Sequence, residues 1–207
     1  MNNNSSLEIL TSAIHTLPDE YLPIKQQALR YVKNNSQIDD NSTLKILHRP
    51  WVAPLNWGLM LYPGAPQDWL AGYHEKTGRA IPEFYSCFLS AINGCFIYDL
   101  SLFGIPSSMH EKNLLNRRVL QCHDLATANR DWVCEYRITP DYFHFGSRSY
   151  SYSENIGYFW DNGKIKSVRK NGKTQSEWND FTAFLQDEIA VVEKKMLEQL
   201  PGNVKIL

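Results

Sequence analysis

Histidines and cysteines are the side chains in this sequence best suited to nucleophilic, acid-base or metal chemistry. The six histidines, His15, His48, His74, His110, His123 and His144, show neither an HExxH pattern nor any paired spacing, so no two stand one helical turn apart as a helical zinc site requires. Cys122-His123 together with Cys134 is the grouping closest to a metal site. It lacks a paired second half, and ordinary buried thiols beside a surface imidazole account for it. His144 lies between Phe143 and Phe145; in an alternating strand its ring points away from theirs, towards solvent. Asp161 and Asn162 precede Gly163 and read as turn formers more simply than as general bases. Asn171-Gly172 is likewise a turn, because no GxxxxGK[ST] pattern surrounds it. The sequence therefore names no catalytic residue, no metal ligand and no cofactor.

Recognition is the chemistry that remains. Ser147-Arg-Ser-Tyr-Ser-Tyr-Ser-Glu154 combines Arg148, Tyr150 and Tyr152, types that anchor protein interfaces, with serines that adapt their hydrogen bonding. It reads either as a contact loop or as a polar connection between strands. Asp141, Glu154 and Asp161 are acidic candidates for meeting a basic partner surface. The aromatic stretch from Trp51 to Tyr62 is a second candidate surface, with core packing the simpler role for most of its rings.

The elements that position these residues follow from periodicity. Leu7, Leu10, Ile14 and Leu17 predict a first helix, with Ser5 or Ser6 as its cap and Pro18 as its stop; Ile24, Ala28, Tyr31 and Val32 predict a second after Asp19. Residues 34–43 read as a polar loop. Four prolines between Leu44 and Pro66 forbid a long helix there, leaving a short strand over 57–62 or a proline-fixed loop. Asp68 is expected to cap a helix ending near Gly78. Pro82 opens a stronger one through Phe84, Tyr85, Phe88, Leu89 and Ile92, with Asn93-Gly94 as its stop. Cys95–Tyr98 and Leu100–Ile105 read as strands and Asp124–Arg130 as one or two helical turns. The runs 132–138, 142–145, 157–160 and 164–168 read as β, the last two joined by an Asn-Gly hairpin. A long closing helix is expected from a Thr174/Glu177 capping box through Trp178, Phe181, Leu185, Ile189, Val192 and Met196. Together these predict an α+β domain, a mainly antiparallel sheet with helices packed on it.

Composition narrows the classes of function. A chain of 207 residues with 43% hydrophobic and 21% charged residues can build one core. A formal net charge of -1 offers no general attraction to nucleic-acid phosphates. The longest apolar stretch, 84–102, is broken by Ser86, Ser90, Asn93, Gly94 and Asp99, so no membrane span is expected. The start MNNNSS lacks the basic and apolar regions of a secretory signal, and the four cysteines form no CxxC pair, which together favour a cytoplasmic protein with reduced thiols.

Three ordered segments resemble the SUKH superfamily, which includes the yeast cell-wall-assembly regulator and many bacterial immunity proteins. They are Gly78-Arg-Ala-Ile-Pro-Glu-Phe-Tyr-Ser-Cys-Phe-Leu89 with Asn93-Gly94; Leu102-Phe-Gly104 with Asp124-Leu125 and Asn129; and Phe143-His-Phe-Gly146 with Ile156-Gly-Tyr-Phe-Trp-Asp161. The segment 178–185, containing Phe181, matches the family's closing helix. The resemblance covers about residues 68–190 and implies folding roles for Ile81, Pro82, Tyr85, Phe88, Leu89, Asn93, Gly94, Gly104, Asn129, Gly146, Gly157 and Phe181. It implies a SUKH-like domain over 68–207; residues 1–67 depart from the family pattern and read as a helical and Pro/Trp-rich extension packed on that domain. It further implies a noncatalytic domain that binds another protein. The relatives point to a toxin domain as the partner of an immunity protein, or to endogenous proteins as partners of an intracellular adaptor.

Overall fold

Among the described residues, nine strands hydrogen-bond in the order in which the chain visits them, each antiparallel to the next. The computed structural model describes residues 3–106, 124–139, 141–149 and 155–202. The strands are β1 (Gln37–Ile38), β2 (Leu44–His48), β3 (Trp57–Pro63), β4 (Ile92–Ile97), β5 (Leu100–Leu102), β6 (Phe143–Arg148), β7 (Ile156–Asp161), β8 (Lys164–Arg169) and β9 (Thr174–Trp178). Tight turns make this meander possible. Asn162 and Gly163 both take positive φ, +47° and +86°, between the paired Asp161 and Lys164, and two such residues match the twist of the strands they join.

Helices α1 (Asn3–His15), α2 (Leu22–Tyr31), α3 (Gln67–Thr77), α4 (Glu83–Ala91) and α6 (Phe181–Glu198) contribute to a large core. Their spacing explains the packing: Leu10 and Ile14 of α1, Ile24 and Ala28 of α2, Phe88 and Leu89 of α4, and Phe184, Leu185 and Val192 of α6 are buried against the sheet's Ile46, Leu59, Phe145 and Tyr158. Phe181 opens α6 and its ring meets those of Tyr21, Phe84, Tyr85, Phe88 and Phe145. On the sheet's other face, α5 (Leu125–Arg130) and a 3₁₀ helix (Trp132–Tyr136) cover a smaller cluster of Val133, Tyr136, Phe159 and Val168. The strands alternate between the two cores, Tyr158 facing one and Phe159 the other.

This α+β architecture, helices on an antiparallel sheet, is the one the periodicity predicts, but several elements differ. Residues 57–63 are a strand, and the unanticipated β2 pairs with it; Pro50 and Pro54 stand in the intervening connection, Pro63 ends β3 and Pro66 lies beyond it. Hence β1–β3 belong to the same sheet as the rest, joined through β3–β4. Thr174 and Glu177 lie in β9, and α6 starts later, where the Asp180 carboxylate accepts from the Ala183 N–H at 2.7 Å. The run 132–138 is helical at its start because it packs across the sheet and does not pair with it. Pro66, not Asp68, precedes α3. The first helix starts at Asn3, so Ser5 and Ser6 lie inside it. Asn93 and Gly94 fall inside β4, with Gly94 at φ +85°.

Residues marked by the resemblance hold one end of the sheet. The Asn93 amide clasps Ile105 through both backbone groups, at 2.8 and 2.9 Å. The Asn129 amide does the same for His144, at 2.8 and 2.9 Å. The Tyr85 hydroxyl lies 2.6 and 2.9 Å from the carbonyl oxygens of Phe103 and Phe145. Gly146 sits within its strand and makes no sharp reversal; a side chain there would meet the Ser101 carbonyl at 2.8 Å. At Gly104 a side chain would meet the Asn93 carbonyl at 2.2 Å. Close backbone approach is therefore what these two glycines serve.

Candidate functional site

Strand register decides which connections meet. The pairs Leu59↔Ile97, Leu100↔Arg148 and Ile156↔Arg169 place the β2–β3 loop, the β4–β5 turn, the exit of β6, the entry of β7 and the β8–β9 turn at one end of the sheet. The Ser149 N–H donates to the Asp99 carbonyl at 3.4 Å, tying two of these connections together. The Ser149 hydroxyl hydrogen-bonds the Asn155 side chain, which draws together the neck of the Ser/Tyr segment.

Beside this neck lies a cleft of about 230 Å³. Phe103, Trp132 and Tyr136 give it an aromatic wall, and Ser147, Ser149 and Asn155 a polar rim. Lys170 and Glu135 also line it and pair with one another at 2.8 Å, their side chains 38% and 48% exposed. Such a solvated pair contributes little to stability and is available to rearrange for a ligand. Burial pushes the Tyr136 hydroxyl up to about 12, keeping it neutral and hydrogen-bond competent at physiological pH.

His144 also lines the cleft, yet it is buried, correcting the solvent-facing position that strand alternation suggests. It does point away from Phe143 and Phe145, but α5 and the 3₁₀ helix cover that face. Its ring stacks on Phe159 at 4.3 Å, with Nε2 3.0 Å from the Gly146 carbonyl and Nδ1 3.4 Å from that of Ala128. Burial lowers its pKa to about 3, against the pull of the two carbonyls. The ring is thus neutral at physiological pH. With both nitrogens turned to backbone oxygen, it presents no base to the cleft.

The residues proposed as partner contacts scatter. Arg148 turns inward and pairs with Glu188 of α6 at 2.5 Å, its side chain only 13% exposed. The Tyr158 hydroxyl donates to the same carboxylate. Burial raises the Glu188 carboxyl above its ordinary range, opposed by the Tyr158 hydrogen bond and the Arg148 charge. Asp161 stands at the far end of β7 from the Ser/Tyr segment, roughly 16 Å along the strand, and pairs with Lys166 at 2.7 Å. That hydrogen bond from Lys166 leads the effects holding its carboxyl below the usual range. Asp141 is exposed near this far end. Tyr150, Tyr152 and Glu154 lie outside the described residues, as do Cys122 and His123. Of the acidic candidates, Asp141 and Asp161 therefore lie at the end of the sheet opposite the neck of the Ser/Tyr segment.

The sequence reading missed Trp132 and Tyr136, which it assigned to a strand, and the interior role of Glu188. The last left a signal: Glu188 interrupts the apolar stripe of Leu185, Ile189 and Val192, and a charge on a core-facing helix position calls for a buried partner. Among the described residues no three His, Cys, Asp or Glu side chains gather as a metal site. No described helix is long and apolar enough to cross a membrane. No family model matches the chain, and no curated protein matches it significantly.

Proposed function

We propose that this chain is a noncatalytic protein-binding domain whose contact surface is the loop-bearing end of the sheet. The observation that carries this reading is the aromatic-walled cleft of Phe103, Trp132 and Tyr136 set directly beside the neck of the Ser/Tyr segment. Rigid aromatic area next to adaptable hydroxyls is the combination that protein interfaces favour. His144, the titratable ring at the cleft, is committed to the backbone and supports a packing role.

With the sequence resemblance to the SUKH superfamily, the specific reading is an immunity protein that occludes a cognate toxin domain inside the cell producing it. Its Tyr150 and Tyr152 act as anchors and the cleft receives a side chain of the toxin. The test has two arms. The tagged chain is used to capture partners from lysate of its native cells, identified by mass spectrometry, and cells are made to express the captured toxin domain with and without this chain. Capture of a toxin domain together with survival only when the chain is present supports the reading. Capture of endogenous regulatory proteins alone, or toxicity unaffected by the chain, overturns it in favour of an adaptor.

A further inference from the structure

The β2–β3 loop, residues 49–56, stands at the same end of the sheet and has a different character. Val52 is 52% exposed and Leu55 86% exposed, and residues 50–56, Pro-Trp-Val-Ala-Pro-Leu-Asn, carry no charge. The loop is held in shape. Its mouth is closed by the Arg49 N–H donating to the Asn56 carbonyl at 2.8 Å. Inside it the Val52 N–H donates to the Arg49 carbonyl and the Asn56 N–H to that of Ala53, both at 3.0 Å. His48 Nε2 lies 2.9 Å from the Pro54 carbonyl and its ring packs on Trp57 at 4.7 Å.

The base of this loop holds unusual backbone. Leu47 and Tyr98 adopt the left-handed region, φ +61° and +54°, unusual for bulky side chains. Arg49 is buried beneath the loop, with its guanidinium 5.9 Å from the Tyr98 ring centre. Strained backbone at bulky residues persists only where the surrounding structure imposes it. An isolated exposed leucine needs no explanation. A leucine presented on a preformed, uncharged loop over such a base does.

We infer that the β2–β3 loop is a preformed apolar plug, with Leu55 and Val52 at its tip, that enters a concave apolar pocket on the protein partner. The inference rests on the protein-binding reading above and adds a second contact element to it. The occupant is a protein because the inference builds on the protein-binding reading, and the uncharged tip offers no cation to nucleic-acid phosphates. Continuity supports the same choice: the Asp99 carbonyl, in the turn beside Tyr98, accepts from Ser149 at the neck of the Ser/Tyr segment. Because the loop's hydrogen bonds exist beforehand, binding spends little on ordering it.

Photo-crosslinking in the native cells tests this. p-Benzoylphenylalanine is placed in the full chain at Leu55, at Tyr152 or, as a control at the opposite end, at the exposed Asn162, and adducts are mapped by mass spectrometry. The expected result is one protein adduct from position 55, absent from position 162 and mapped to an apolar pocket. For the purified pair, Leu55→Asp should weaken binding about tenfold or more, as loss of a buried leucine contact would, while Asn162→Ala leaves it unchanged. Position 55 giving no adduct above the control, only lipid adducts, or a partner whose affinity Leu55→Asp leaves intact would overturn the plug. An adduct that meets these criteria but is not a toxin overturns the immunity reading while the plug stands.

Discussion

The two ends of the sheet are built differently. At one end, Asn93 and Asn129 satisfy both backbone groups of Ile105 and His144, and glycines let the backbones approach closely. At the other, the bulky Leu47 and Tyr98 are held at positive φ, which at the first end falls on the turn residues Ser42 and Asn162, and Leu55 faces solvent. Of the residues that carry the sequence resemblance, Asn93, Gly104 and Asn129 lie at the first end, while Gly157 lies at the second with the candidate contact loops. A domain whose stability is concentrated in one region can leave another for recognition, where optimal packing is not required.

If that division is right, the largest loss of stability follows from opening a clasp. Asn129→Ala strands the buried N–H and C=O of His144 and removes one of the acceptors of Arg79, which keeps the Tyr142 carbonyl; it should cost about 4 kcal/mol at the two unsatisfied backbone groups. Denaturant unfolding at pH 7 measures it; a loss under about 1 kcal/mol would dissolve the contrast between the ends. Next comes Arg148→Met, which leaves the Glu188 carboxylate buried without its cation and should cost about 3 kcal/mol. Glu188 already has a raised folded pKa, so its contribution is fully present below the unfolded value and fades as pH rises through the folded one. Without Arg148 the folded pKa climbs further, and the penalty must grow from acid towards neutral pH. A penalty independent of pH would remove the ion pair as its cause.

His144 gives the third effect, of opposite sign. Its folded pKa is depressed to about 3, so the stability it contributes is present above the unfolded value near 6.5 and is lost as pH falls below it. The loss should approach about 1.4 kcal/mol per pH unit, or roughly 2 to 3 kcal/mol by pH 4.5. His144→Phe should flatten that part of the profile, and the difference between the two proteins isolates the imidazole from the opposing titration of Glu188. Equal slopes below pH 6.5 would place the ring in water after all.

How far sequence alone reaches differs between these regions for a physical reason. Helical stripes such as Phe84-Tyr85-Phe88-Leu89 and the Asn162-Gly163 turn are encoded locally, so α4, the β7–β8 hairpin and the α+β class were legible. The burial of His144 depends on whether something covers the second face of the sheet, and the covering 3₁₀ helix has a β-rich composition that hides it. Arg148 was legible as an interface type but not as the partner of Glu188, forty positions later in the chain. The β2–β3 loop shows the same limit: its prolines and Trp51 were visible, whereas the hydrogen bonds that make it rigid, and the burial of Arg49 beneath it, exist only in the fold.

The smallest expected effect is the one that sets the two ends furthest apart. Leu55→Asp changes an 86% exposed side chain whose neighbours make their hydrogen bonds through the backbone, so it should alter stability by no more than about 0.5 kcal/mol. Asn129→Ala and Leu55→Asp then form an opposed pair, the first lowering stability with the β2–β3 loop unaltered, the second leaving stability intact. Thermal unfolding of both variants with hydrogen exchange of the β2–β3 amides provides the comparison. Protection at Asn56 should survive Leu55→Asp, because its N–H is held by the Ala53 carbonyl and not by the leucine. Should Leu55→Asp instead cost more than about 1 kcal/mol or free that amide, the leucine would be a structural member of the loop. The loop-bearing end would then be held together by side-chain packing like its counterpart.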